Sequence, residues 1–175
     1  MSGLYNCLKH KRFDDITISD IQKESSVGRA TFYRLFDNMN DVLEYECNNV
    51  FEQMLSEYKN KCNNKLIVTD QFEAMFLFFM EYWINHPLLI EAITSENRAH
   101  IINKVYRNHA EEIGYFLAPN EELSKVEIDY LTSIIIGAIG GAFYMWLKNG
   151  RKDTAKELLQ FFRKTWKVIS ISLLD

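Results

Sequence analysis

The chain has 175 residues, with 20 lysines and arginines against 24 aspartates and glutamates and a formal net charge of −4. With 47% apolar and 14% aromatic residues there is ample material for a core, which excludes disorder as the main state. Two prolines and seven glycines are too few for the turns, roughly every 8–12 residues, of an all-β sandwich or barrel. A predominantly helical protein is the expectation, and the acidic sum counts against a generic polyanion binder.

Met1-Ser2-Gly3-Leu4-Tyr5-Asn6 lacks the basic stretch followed by an apolar one that a signal peptide needs. The longest apolar run, Ile134 to Leu147, includes three glycines and falls short of the ~20 residues that span a bilayer. A cytoplasmic protein without membrane insertion is expected. Cys7, Cys47 and Cys62 are odd in number and lack metal-type spacing, as suits reduced thiols.

Leu4 and Leu8 followed by Lys9-His10-Lys11-Arg12 read as a short helix whose cationic last turn complements its dipole. Thr17-Ile18-Ser19-Asp20 is a capping-box variant opening a second short helix to about Glu24. Ser25-Ser26-Val27-Gly28 interrupts it, and a third short helix runs from Arg29 to Phe36. Asn38-Met39-Asn40-Asp41 repeats the capping signature before a long helix to about Lys61. Thr69 or Asp70 caps a helix carrying Phe72, Met75, Phe76, Phe79 and Trp83 at helical steps, and His86-Pro87 stops it. Residues 88 to 117 read as one or two amphipathic helices, with Pro119-Asn120 as a connection. Lys125 to Leu147 is apolar nearly all round in its second half and so must be covered on several sides. Asp153 is the expected cap of a last helix striped by Leu158, Phe162, Thr165, Trp166, Ile169 and Leu173.

Two short helices joined by a turn form the core of a helix-turn-helix, whose second helix enters the DNA major groove. On a helical wheel Phe32, Leu35 and Phe36 share one side, while Ala30 and Arg34 point the other way with Thr31 and Tyr33 flanking them. Arg34 can present a fork to guanine, Thr31 can bond a base edge or pack on a thymine methyl, and Tyr33 can donate to a phosphate. Ala30 is small enough to let the helix come close.

Thr17-Ile18-Ser19-Asp20-Ile21, then Val27-Gly28-Arg29-Ala30-Thr31-Phe32-Tyr33-Arg34-Leu35-Phe36 and Asn38 to Leu43, closely resemble the DNA-binding domain of the TetR (tetracycline-repressor-like) family of bacterial transcriptional regulators. Trp146-Leu147-Lys148-Asn149-Gly150 is similar to a subgroup common in Gram-positive bacteria. The resemblance implies an all-α homodimer with a helix-turn-helix domain over residues 1–45 and a ligand-binding and dimerisation body over residues 46–175. By the same resemblance, phosphate contacts fall on Thr17 and Tyr33, and recognition-helix contacts on Gly28, Arg29, Ala30, Thr31 and Arg34. Met39 stands where the family often has a phosphate-binding lysine. The last two helices would pair with those of a second subunit, through Ile135, Ile139, Phe143, Leu158, Phe162, Trp166 and Ile169.

For the aromatic stripe of the body, plain core packing is the first reading. Polar-tipped residues interleaved with it, among them Tyr82 and Tyr106, point instead to a cavity for a hydrophobic or aromatic effector. Its candidate lining is Phe76, Phe79, Met80, Trp83, Asn97, His100, Tyr130 and Tyr144. Gly137, Gly140 and Gly141 suggest close helix packing. No catalytic residue, cofactor or metal site is expected; Glu96 and His100 sit four apart, a spacing that occurs often by chance. The expected function is a DNA-binding regulator, in the first instance a repressor, released from a palindromic operator by its ligand. The alternatives are an activator or co-regulator working through a protein partner, and a helical small-molecule-binding protein with weak DNA binding. The charge is unevenly spread. Residues 1–36 carry six basic and four acidic side chains, a net +2, and residues 37–175 carry 14 and 20, a net −6.

Overall fold

The computed structural model describes residues 2–63, 71–94, 98–117 and 122–172, and all regular structure among them is helical. Three short helices, α1 (Ser2–Leu8), α2 (Ile18–Ser25) and α3 (Arg29–Leu35), form an N-terminal head, with a single 3-10 turn at Phe13–Asp15. α1 lies on α2, and the head's core is Leu4, Leu8, Phe13, Ile16, Ile21 and Phe32, all buried. Gly3 permits that contact, because a Cβ there would come within 2.8 Å of the Ser25 Cβ. The cations after Leu8 lie beyond the last turn of α1 rather than in it. Lys11 instead reaches forward to Asp20, 2.9 Å away.

α4 (Met39–Asn63) runs unbroken from head to body, through the boundary expected at residue 45. Asn38 caps it: the Asn38 Oδ1 accepts from the Asn40 and Asp41 N–H groups, and the Asp41 carboxylate accepts from the Asp37 and Asn38 N–H groups. Leu43, Cys47, Val50, Phe51, Met54, Leu55 and Tyr58 make one buried stripe at helical spacing. That stripe packs against α5 (Gln71–Ile84), α6 (Pro87–Thr94) and α7 (Ala99–Asn108).

Residues 88–117 hold three helices instead of one or two, α8 (Ala110–Leu117) being the third. Pro87 starts α6 as well as ending α5: it has no N–H to lose at a first helical position, and the His86 carbonyl accepts from Leu89 and Ile90. The Thr69/Asp70 cap and Pro119-Asn120 lie outside the described residues. The last helix is capped by Thr154, not Asp153, in a reciprocal pair with Glu157, so that α10 runs Ala155–Ser172.

Within the single chain α9 (Lys125–Lys148) is covered along one stripe, where cover on several sides was expected. It buries one stripe, Thr132, Ile136, Ile139, Phe143 and Trp146, against α6, α7 and α8. Its other face, with Val126, Tyr130, Ile134, Tyr144 and Met145, is exposed in the single chain. Nor do Gly137, Gly140 and Gly141 sit in a tight helix contact, since a Cβ on any of them would meet nothing within 4 Å. Among the described residues α9 is the one helix long and apolar enough to cross a membrane by length and composition, contrary to the shorter run counted in the sequence.

Candidate functional site

α2 begins on a full capping box. The Thr17 hydroxyl accepts from the Asp20 N–H at 3.2 Å and donates to the Asp20 carboxylate at 2.8 Å, while the Thr17 N–H donates to the same carboxylate at 2.9 Å. Lys11, then Thr17, hold the Asp20 carboxyl well below the usual carboxylate range. Both donors of Thr17 are thus engaged within the head.

The chain leaves α2 through Ser26 in the left-handed region at φ 55°. Gly28 then caps α3 with an extended φ of −66°, and a Cβ there would meet nothing within 4 Å, so the fold itself does not require glycine at this position. Phe32 anchors α3: it is 1% exposed, its ring edge-on to Tyr33 and tilted against Phe36. Arg29, Ala30, Tyr33 and Arg34 face solvent and Thr31 is half-buried. The Arg29 guanidinium lies over the Tyr33 ring, 5.7 Å from its centre. Neither Arg29 nor Arg34 joins an ion pair among the described residues, so both present their donors outward. Leu35 departs from the expected core side. It is 61% exposed, because α3 ends there and the chain turns extended at Phe36.

Leu35 borders a groove of about 330 Å³ in the head, with Leu4, Ile21, Val27, Tyr45 and Glu46 also lining it. Glu46 is 6% exposed and its Oε2 has no hydrogen-bond partner among the described residues; burial pushes its carboxyl up. Burial, with Glu46 and Cys47 adding to it, raises the Tyr5 hydroxyl to about 12.

The eight expected effector residues do not converge. Phe76, Phe79, Met80 and Trp83 are buried in the body's own core, Phe76 against Phe162 and Phe79 against Phe51 and Tyr58. His100 is exposed, as are Tyr130 at 69% and Tyr144 at 46%, and Asn97 lies outside the described residues. A wheel places residues on faces of their own helix but not which faces of different helices meet. Among the described residues, a void of about 20 Å³, room for about one water, is bordered by Trp83, Tyr106, Ile136, Ile139, Gly140 and Phe143. The Trp83 Nε1 and the Tyr106 hydroxyl are both buried and, among the described residues, have at most one another as partner.

The expected subunit-contact residues divide as well. Ile139, Phe143 and Leu158 are buried in this chain's own core, so the exposed faces are made by other residues. Ile135 and Phe162 are half-buried, Trp166 is 54% exposed and stacks on Phe162, and the Ile169 side chain lies outside the described residues. α10 packs on α5 and turns Phe161 and Trp166 outward.

Sequence reasoning missed the joint between head and body. The Asp14 carboxylate, in the 3-10 turn, receives Arg98 Nη1 at 2.5 Å and Nη2 at 3.4 Å. Arg98 is itself buried, donates from Nε to the Ala92 carbonyl at 2.6 Å, and lies over the Phe13 ring at 4.7 Å. Arg98 holds the Asp14 carboxyl below its ordinary range. The two residues are 84 positions apart, and local periodicity carries no trace of such a pairing.

A helical head joined by one continuous helix to an all-α body, with residues 70–167 matching the family model of a transcriptional regulator C-terminal region, defines a transcriptional regulator. That model is of the TetR type and spans more than half of the sequence, so the chain belongs to the TetR family of regulators. Neither a curated protein nor a solved structure matches the chain.

Proposed function

We propose that the protein is a cytoplasmic bacterial repressor that binds a palindromic operator as a homodimer, lays α3 in the major groove, and is released by a small apolar or aromatic ligand. The observation that carries this reading is the outer face of α3: Arg29, Ala30, Tyr33 and Arg34 exposed over the buried Phe32 anchor, with two guanidinium groups outside any ion pair among the described residues. Arg34 reads a guanine edge, Arg29 and Tyr33 meet phosphates, and the bare backbone at Gly28 allows close approach. Thr17 contributes by fixing the start of α2 more than by donating to phosphate, since Asp20 already takes both its donors. Met39 packs against the core and supplies no cation. With a net +2 on residues 1–36, non-specific attraction is modest and specific contacts supply much of the affinity.

Dimerisation is supported by the apolar faces that α9 and α10 leave open, Tyr130, Ile134, Met145, Phe161 and Trp166 among them. It would bring two copies of α3 to about one DNA turn apart, roughly 34–36 Å. The void beside Trp83 and Tyr106 is where an apolar ligand with one hydrogen-bonding group would wedge α9 away from α6 and α7.

The test is a gel shift with fragments flanking the gene at several salt concentrations. Arg34→Ala is expected to lose about 1–3 kcal/mol and to relax specificity at the base pair it reads. An Arg34→Ala protein that binds like the parent, or salt-insensitive binding, overturns the reading.

A further inference from the structure

An open cleft of about 650 Å³ separates the head from the body. That lies within the roughly 300–1,000 Å³ of small-molecule sites, and it dwarfs the internal void. The segment after α1 forms one wall, and α6, Arg98 and the end of α9 form the other. Leu8, Phe13, Leu88 and Leu147 give it apolar surface.

The cleft's charges are not evenly satisfied. Four of its residues are cationic (Lys11, Arg12, Arg98 and Lys148) and two are acidic (Asp14 and Glu91). Both acids are engaged, Asp14 by Arg98 and Glu91 by Arg151. Lys11 is held by Asp20. What is left is Arg12 on the head and Lys148 at the end of α9, both exposed and neither in an ion pair among the described residues. A cationic ligand would find no free carboxylate here, a neutral one would leave both cations unused, and a polyphosphate would waste the apolar wall. A single negative charge on an extended apolar body fits all of it.

We propose that this cleft binds an amphipathic carboxylate, its anionic end held by Arg12 and Lys148 and its apolar part lying on Leu8, Phe13, Leu88 and Leu147. Since one cation belongs to the head and the other to the body, the bound molecule spans the joint beside the Asp14–Arg98 pair. Binding itself is independent of the operator reading; its effect on DNA affinity rests on that reading.

The test is calorimetric titration of the full chain with decanoate, decanol and decyltrimethylammonium, each below its aggregation limit. Decanoate is expected to saturate at one per chain and to bind about tenfold or more tightly than the other two, as two solvent-facing charge contacts allow. Arg12→Gln with Lys148→Gln should lower decanoate affinity by about the same factor with no change in melting temperature, both side chains being exposed. Arg12→Glu with Lys148→Glu should reverse the preference toward the quaternary ammonium. Undetectable decanoate binding, decanol binding as tight as decanoate, or the same decanoate affinity in the charge-reversed protein overturns the proposal. No DNA enters the measurement, so its failure and a failure of operator binding are separate results.

Discussion

Glu46 is the residue whose environment most disagrees with its chemistry. It is 6% exposed, one carboxylate oxygen lacks a partner among the described residues, and burial raises its carboxyl above the ordinary 4.5. A raised acid penalises its charged form in the folded chain. Its contribution is therefore most favourable below the ordinary value and is lost as pH rises through the raised one. Glu46→Met should gain more in melting temperature over the parent at about pH 7 than at about pH 4, as thermal unfolding at the two pH values will read. Thr17 is the opposite case, with every donor matched. Thr17→Ala should lower stability by about 1 kcal/mol in urea unfolding, and Thr17→Ser should restore most of it, because the hydroxyl and not the methyl makes the cap. Both arguments were half legible beforehand. The Thr17/Asp20 box is local in sequence, whereas the burial of Glu46 depends on the whole head gathering around the start of α4.

At the scale of elements, the sequence periodicity located nearly every helix, and it failed where a face had to be assigned to a neighbour. α9 shows why. Isoleucines and glycines leave no polar side to mark, so the stripe of Thr132, Ile136, Ile139, Phe143 and Trp146 could not be told from the open face beside it. Thr132 is buried while Ile134 is 59% exposed, the reverse of what their polarity suggests. The open face argues for a second subunit. Ile134→Glu and Trp166→Glu should each shift the protein from dimer to monomer in light scattering, with little effect on the fold of the single chain because both side chains are more than half exposed. If α9 instead meets a bilayer, as its length and composition permit, Ile134→Glu will change the membrane-bound fraction on fractionation and leave the scattering mass unchanged.

At the scale of the whole molecule, Asp14 and Arg98 join head to body. Asp14→Asn leaves a buried guanidinium without its carboxylate. Because the Asp14 side chain is 55% exposed, the loss should be modest, about 1 kcal/mol in global unfolding. Hydrogen exchange should show it as faster opening of the segment from α1 to the 3-10 turn than of α7. The pair of short helices α2 and α3 was readable in the sequence because its caps, turn and anchor lie within 30 residues of one another. The cleft was not, since it comes from surfaces contributed by α1, α6 and α9 that only tertiary folding brings together.

α4 has one further consequence, which is mechanical. At 25 residues and about 1.5 Å of rise each, it is a rod roughly 37 Å long with one end in the head and the other in the body. A rigid rod multiplies small angles: turning it by about 5° about its body end carries its head end by about 3 Å, close to the ~3.4 Å between stacked base pairs. In the proposed dimer the two displacements add, so a rearrangement of the body too slight to disturb its core would be enough to put the two copies of α3 out of step with the proposed operator.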